Sequence, residues 1–507
     1  MAAPKKACDT RTNNTVAKLL ECVDADGAVR HLEALQAIAT DHEGRRAAGT
    51  DGYEASVDYV VQRLEAAGWQ VSIDEFPFTF TDVPKVRQLA PIQADYEGGV
   101  MTGTGTGTVQ GRIVPVDLNL VAPFDPVTSA CEAADFTGLD FSGPNDIALI
   151  QRGTCEFGVK AKAAQDRGAE AVIIMNQGNT PARSVLLEGT LIGQNPSPLA
   201  IPVAGVSFAD GVALAQPGSE ASVSIAPPVS KPQKNIIAEL PGVNDDNVVM
   251  AGAHLDSVLR GPGINDNGSG SAALLDVAER IAKVKPQNTL RFAWWGAEEA
   301  GLLGSRAYVA ELATLPGELD RIALYLNFDM VASPNHVFMV YDGDESGFPA
   351  PDGVPIPDGS IAIENLFESY YTWIGQPYDD AQFSGRSDYQ AFIQNGIPSG
   401  GLFTGAEGIK TAAEADIWGG VAGAQYDPCY HQRCDDIDNL NLDAFDVNVD
   451  AIALAVLAYA YDTSSVNGVA GVRVPGGLSL PAPAGPVETA AVGGGGLDHD
   501  HDHAAAS

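Results

Sequence analysis

Positive charge is scarce in this sequence: 29 Lys and Arg stand against 66 Asp and Glu, a formal net charge of −37 over 507 residues. Such an excess of carboxylates argues against nucleic acid and anionic membrane surfaces as partners, because the protein's own field repels both. It reads first as a solvated acidic surface. Also missing is an unbroken apolar run of the roughly 18 residues that cross a bilayer, so the chain is expected to be soluble, with no membrane partner. The opening MAAPKKACDTRTNN carries lysines but no apolar segment behind them, so no secretory signal is visible. Cysteine is sparse, six in all, and none has the C-x-x-C spacing of a zinc knuckle. The six fall as three couples near in sequence: Cys8 with Cys22, Cys131 with Cys155, Cys429 with Cys434. Disulfides are favoured over metal, with free buried thiols as the alternative, and disulfides imply an oxidising compartment and export.

What is present is 45% hydrophobic residues in a chain too long for one core, so two or three domains are expected. Apolar positions at helical spacing predict helices over 29–39 and 52–68, the second stopped by a glycine. A strand-like WQVSIDEFPF follows. From Tyr96 the texture turns rich in Gly and Thr (GGVMTGTGTGTVQGRIVPV), which reads as an insertion closed by the proline-rich APPVSKPQK at 226–234. After it, NIIAELPG, NVVMAGAHLD, TLRFAWWGAEE and RIALYLNFDMV are short apolar strands, separated by helical stretches such as SAALLDVAERIAK. That alternation predicts an α/β fold with a mostly parallel sheet covered on both faces. A last helix is expected over 443–462. Beyond it lies a Gly-, Pro- and Ala-rich tail without periodicity, read as disordered. The tail's HDHDH run is a weak metal-binding candidate or simply a solvated end.

In such sheets ligand-binding groups gather past the carboxyl ends of the strands. His254 and Asp256 follow VVMAGA, Glu298 and Glu299 follow LRFAWWGA, and Asp329 follows LYLNF. Asp266 sits in GINDNGSGSAA just before a helix. Singly, each has a plain structural reading: a hydrogen-bonded surface His, an acidic partner of a helix dipole, an N-cap. Jointly they make a mixed N and O ligand set suited to zinc or a related divalent ion, with carboxylates able to bridge two metals. Consecutive residues on a helix diverge by about 100°, so one of Glu298 and Glu299 can bind metal while the other handles a proton. His431, in PCYHQRCDD, is a further candidate ligand on a loop pinned by Cys429 and Cys434, and its neighbour Tyr430 is positioned to donate to an oxyanion.

The motifs AGAHLDS, GINDNGSGSAA, FAWWGAEEAGLLGS, YLNFDM, GRSDYQAF, GGLFTG and CYHQRCDD, in that order, resemble the zinc aminopeptidases of the aminopeptidase S and aminopeptidase Y family, clan MH metallopeptidases. The resemblance covers about residues 28–80 and 235–462. It implies the zinc-dependent exopeptidase fold, a mostly parallel central sheet flanked by helices, with an inserted β-rich α/β protease-associated domain signalled by GTCEFGVKAKAAQDRGAEAVIIMN. The implied division is 1–95 and 235–463 for the peptidase domain, 96–234 for the insertion and 464–507 for the tail. The resemblance further implies that His254 and Asp329 hold one zinc, Glu299 and His431 the other, and that Asp266 bridges them. Glu298 becomes the general base, Asp256 the partner orienting His254, and Tyr430 the transition-state donor. Arg386 and Phe403 fall in the substrate pocket, and the Asp266–Asn267 peptide is expected to be cis.

The function implied is removal of N-terminal, preferably large apolar, residues from peptides by a secreted monomer. Alternatives on the same scaffold are a carboxypeptidase or dipeptidase. A receptor-like ectodomain that has lost its zinc ligands is a third, against which all five ligands and the base are present. Some secreted relatives bind calcium near the C-terminal helix; Asp446 and Asp450 match that pattern, although Cys22 and Val23 stand where an N-terminal acidic partner is wanted. Protease-associated domains are not catalytic; they cover an active-site mouth or bind partners.

Overall fold

In the computed structural model, residues 7, 8, 10–192, 199–351 and 353–487 are described. The HDHDH run at 499–503 lies outside them. The chain divides into two compact units, one made of Met1–Phe78 with Lys231–Ser507 and the other of Thr79–Ser230.

The first unit is built on an eight-stranded sheet. Its order is Gln70–Phe80, Val229–Leu240, Asn288–Trp295, Asn244–His254, Ile322–Phe328, Ser399–Phe403, Met339–Tyr341, Asp379–Ala381. The neighbouring strands Asn288–Trp295, Asn244–His254, Ile322–Phe328 and Ser399–Phe403 are all parallel, while Val229–Leu240 and Met339–Tyr341 join antiparallel. Continuous apolar runs are what such strands require, because both faces are covered and the side-chain period is two. Leu290, Phe292 and Trp294 point into one core, with Leu32, Val57, Leu64, Leu274 and Val449 from the helices; Ala293 and Trp295 point into the other, with Val309, Tyr325 and Phe392. Each large apolar side chain fully buried in this way contributes about 1.5–3 kcal/mol.

The expected helices form over Ala25–Asp41 and Asp51–Ala67. The second starts where the Thr50 hydroxyl accepts the Tyr53 N–H and stops at Gly68, whose φ of 100° a glycine adopts without strain. The helix Leu442–Tyr461 has the length and apolarity of a membrane span, yet 83% of its most apolar window is buried inside the fold. It is the core helix of this unit, which is why so few of its residues are polar.

The second unit carries a seven-stranded sheet, ordered Ala94–Glu97, Lys85–Ala90, Glu220–Ile225, Gly107–Val116, Ile147–Gln151, Ala171–Met175, Val203–Val206. The last four run parallel and the first members antiparallel. This unit starts at Thr79, not at residue 96, because Lys85–Ala90 pairs with Glu220–Ile225, some 130 residues later. No local texture marks a pairing of that range.

The tail also differs from expectation. Its first part, up to residue 487, is described: after the helix Ser464–Asn467 the Val472 N–H bonds the Tyr461 carbonyl, and Gly485 and Val487 donate to the Tyr378 hydroxyl and carbonyl. A Gly- and Pro-rich chain needs no periodicity to be held when its backbone donors find acceptors on the body. Disulfides join Cys8 to Cys22, Cys131 to Cys155 and Cys429 to Cys434.

Candidate active site

Register brings three of the candidate strand ends together. His254 lies opposite Trp295 across one parallel pair, and Gly252 opposite Asn327 across the next, so His254, Glu298 and Asp329 reach one rim of the sheet. The helix Gly270–Ile281 then docks against the end of the third strand. A Cβ at Gly270 would lie 2.2 Å from the Phe328 carbonyl oxygen, so only a glycine lets this helix start where it does. The preceding loop turns through a cis Asp266–Asn267 peptide, and the Asn267 side chain bonds the Phe328 carbonyl at 2.8 Å. Asp266 is thereby placed between two imidazoles.

Asp266 Oδ1 is 3.3 Å from His254 Nε2, and its Oδ2 is 3.2 Å from His431 Nε2. Asp329 Oδ1 lies 3.4 Å and Glu298 Oε2 3.9 Å from the same His254 nitrogen, whereas Glu299 Oε2 approaches His431 Nε2 at 3.0 Å. The two adjacent glutamates thus serve opposite imidazoles. Buried atoms Glu299 Oε1 and Asp329 Oδ1 have no hydrogen-bond partner, which is costly unless something positive takes them up. Charges are strongly perturbed. Burial works against charging His431, yet Glu299 and Asp266 push it up to about 11. Burial, helped by Asp388, Asp329 and Glu299 against the pull of His254, lifts Glu298 well above the usual carboxylate range. Four carboxylates against two imidazoles, with acceptors left over, are what divalent cations neutralise; the residues fit metal.

His254 Nδ1 is 3.1 Å from the Asp256 backbone oxygen and 3.8 Å from its Oδ1, so the carbonyl is the closer partner. The Asp256 carboxylate instead accepts the Glu298 N–H at 3.1 Å, and burial pushes it up to about 7. Tyr430 stacks on His431 with ring centroids 3.8 Å apart, and Arg386 donates to its hydroxyl at 3.4 Å while pairing with Glu407 at 2.7 Å. His431 itself has a φ of 58° in the loop closed by Cys429–Cys434. His254, Asp266, Glu298, Glu299, Asp329, Arg386, Tyr430 and His431 line a cavity of about 660 Å³ that also includes Phe403, Met339 and Tyr341.

Sequence reading passed over the groups that hold these side chains. Asp435 accepts the backbone N–H of Asn265 at 2.8 Å and of Asp266 at 3.0 Å, tying the disulfide loop to the loop that carries Asp266. The Ser387 hydroxyl donates to Asp329 Oδ2 at 2.6 Å and accepts from Asn327 at 2.8 Å. Arg46, fully buried, donates to the carbonyls of Leu255, Pro262 and Gly263 on both sides of the loop between His254 and Asp266. CDD and GRSD, read for metal and substrate, were the available signals for the first two; nothing local marks Arg46. Arg46→Met leaves the Leu255 and Pro262 carbonyls without this donor, while Gly263 keeps the Gly268 N–H, and is expected to cost about 2–4 kcal/mol. Urea unfolding followed by tryptophan fluorescence measures it, since all five tryptophans lie outside Thr79–Ser230. A cost below about 0.5 kcal/mol, the scale of ordinary surface substitutions, would show that these bonds do not hold the loop.

Near the C-terminal helix, Asp446 accepts the Ala25 N–H at 2.7 Å, and burial with Asp446 and Asp24 pushes Asp450 up to about 7. The acidic neighbour from the N-terminal stretch is therefore Asp24, one residue past Val23. Among the described residues these carboxylates form no trio as close as those at the main site.

Two imidazoles and four carboxylates on the strand-end rim of a mostly parallel sheet are the hallmark of a metallohydrolase. Residues 235–456 match the model of peptidase family M28, and residues 109–214 match that of the PA domain. The chain is 46% identical over 459 residues to a protein of Pseudomonas aeruginosa called Aminopeptidase, covering 89% of this chain and 83% of that one. It is 45% identical over 431 residues to a probable leucine aminopeptidase 2 of Aspergillus oryzae, covering 84% and 82%. BSAP, a zinc aminopeptidase from Bacillus subtilis, aligns in structure with a TM-score of 0.56 at 25% identity, covering 85% of this chain and 94% of that one. The chain belongs to peptidase family M28.

Proposed function

We propose that this protein is a two-zinc aminopeptidase that releases N-terminal, preferably large apolar, residues from peptides. Zinc-dependent aminopeptidase activity follows from the family and its named relatives. The count of two zinc ions is supported by one observation above others: the two oxygens of Asp266 face two different imidazoles at 3.3 and 3.2 Å. His254 and Asp329 would hold one ion, Glu299 and His431 the other, with Asp266 shared. Bound there, zinc supplies Lewis acidity and makes water a nucleophile near neutral pH.

The chain's own residues do the rest. Glu298, unassigned to either ion, takes the proton of the attacking water and hands it to the leaving amine. The Tyr430 hydroxyl, held by Arg386 and the stack on His431, donates to the oxyanion that develops on the scissile carbonyl. The acidic rim attracts a substrate α-ammonium. Phe403, with Met339 and Tyr341 in the same cavity, supports an apolar side-chain pocket, as does the leucine aminopeptidase named among the relatives. Three disulfides support secretion.

Aminoacyl p-nitroanilides test the reading directly. Leucyl and phenylalanyl substrates are expected to exceed glycyl and glutamyl ones by tenfold or more in kcat/KM, with activity lost on chelation and restored by zinc. N-acetylation should abolish hydrolysis. Equal turnover of acetylated peptides would make the enzyme a carboxypeptidase or another exopeptidase, and no zinc uptake would revive the receptor-like alternative.

A further inference from the structure

A second gathering of carboxylates lies apart from the proposed zinc ligands, where the loop after the strand Met339–Tyr341 meets the helix Ser360–Ile374. The loop reads Asp342, Gly343, Asp344, Glu345, Ser346, Gly347. Oxygens of Asp342, Asp344 and Glu364 lie within 4.8 Å of one another, and so do oxygens of Glu364, Glu368 and Asp380. Ligands on opposite sides of a calcium ion, each 2.3–2.6 Å away, are about 5 Å apart. Each trio therefore has the span of a calcium shell.

Four of the five are buried: Asp342 is 1% exposed, Glu364 2%, Asp380 4% and Glu368 7%. Asp380 Oδ1 has no hydrogen-bond partner at all, and its carboxylate belongs to the trio with both glutamates. Among the described residues no Lys, Arg or His nitrogen pairs with any of the five. The trio His31, Asp276 and Glu279 is different, because Arg63 lies 2.5 Å from Glu279, and Arg30 and Arg280 lie 4.0 and 3.3 Å from Asp276. There the positive charge comes from the protein. At Glu364 burial and the surrounding carboxylates, Asp344 and Glu368 foremost, push the group up to about 9.

Sequence spacing agrees with the geometry. Acidic residues at the first and third positions, a serine at the fifth and a glycine at the sixth open many calcium loops, which are completed by a later carboxylate. Gly347 is needed here for closeness, since a Cβ would lie 2.4 Å from Asp380 Oδ2. We infer that Asp342 and Asp344 from the loop, Glu364 and Glu368 from one face of the helix, and Asp380 from the neighbouring strand bind one calcium ion. Phe348, immediately after the loop, lines the catalytic cavity, so the ion would brace part of that wall.

The full-length, zinc-loaded protein is exchanged into resin-treated calcium-free buffer containing zinc, and its melting is followed by tryptophan fluorescence as calcium chloride is added. Saturation at a hundredfold excess over Kd is expected to raise the midpoint by roughly 5 °C. Asp344→Asn, at an exposed position tolerant of change, and Glu364→Gln should each remove most of that rise, and Asp450→Asn should keep it. No rise in the unmodified protein overturns the inference. So does a rise that survives in both loop and helix variants, or one lost in Asp450→Asn alone, which would put the ion at the C-terminal helix. Zinc analysis of every sample separates these outcomes from failure of the zinc assignment.

Discussion

Glu298→Gln is expected to lower kcat by about 10³-fold while zinc content stays at the level of the unmodified protein. Glutamine keeps the shape and the hydrogen-bonding reach of the side chain but takes no proton, and general-base catalysis is worth about 10²–10⁴. The site gives this substitution a sharp counterpart. Glu299, one residue on, faces His431 at 3.0 Å, whereas Glu298 is 3.9 Å from His254. Glu299→Gln is therefore expected to lose metal together with activity. Steady-state kinetics and metal analysis on the two proteins decide the order: zinc loss in the Glu298 variant, with none in the Glu299 variant, would reverse the roles.

Asp266→Asn should be the most damaging change to the metal centre. A carboxylate facing both imidazoles contributes a full negative charge to each half of the site, and an amide contributes none. Zinc after dialysis is expected to fall from two ions per chain to fewer than one, with turnover at background, while His431→Ala loses a single ion. The Asp266 backbone N–H still bonds Asp435, so the loop should keep its place. Circular dichroism checks that. An Asp266→Asn protein holding two zinc ions at unchanged affinity would remove the bridging assignment.

Much of the peptidase unit was legible from the chain. Apolar runs such as LRFAWW and LYLNF follow directly from strands covered on both faces, and the residues just past their ends are where chemistry is expected. Helix starts and stops near Thr50 and Gly68 were equally local. The insertion's opening strand was not, because Lys85–Ala90 is recruited by a partner that comes far later in the chain. Neither was the described part of the tail, whose order comes from acceptors on residues such as Tyr378 and Tyr461.

By itself the sequence determined which donor atoms this protein owns and which strand ends deliver them, since periodicity and residue type are properties of neighbours in the chain. Only the tertiary structure decided which donors meet. It set Asp266 between imidazoles 12 and 165 residues away, turned the Asp256 carboxylate toward the Glu298 backbone, and gathered the five carboxylates around Glu364. Contacts of that range depend on register and on close approach at positions such as Gly270 and Gly347, and packing settles those only when the whole chain has folded.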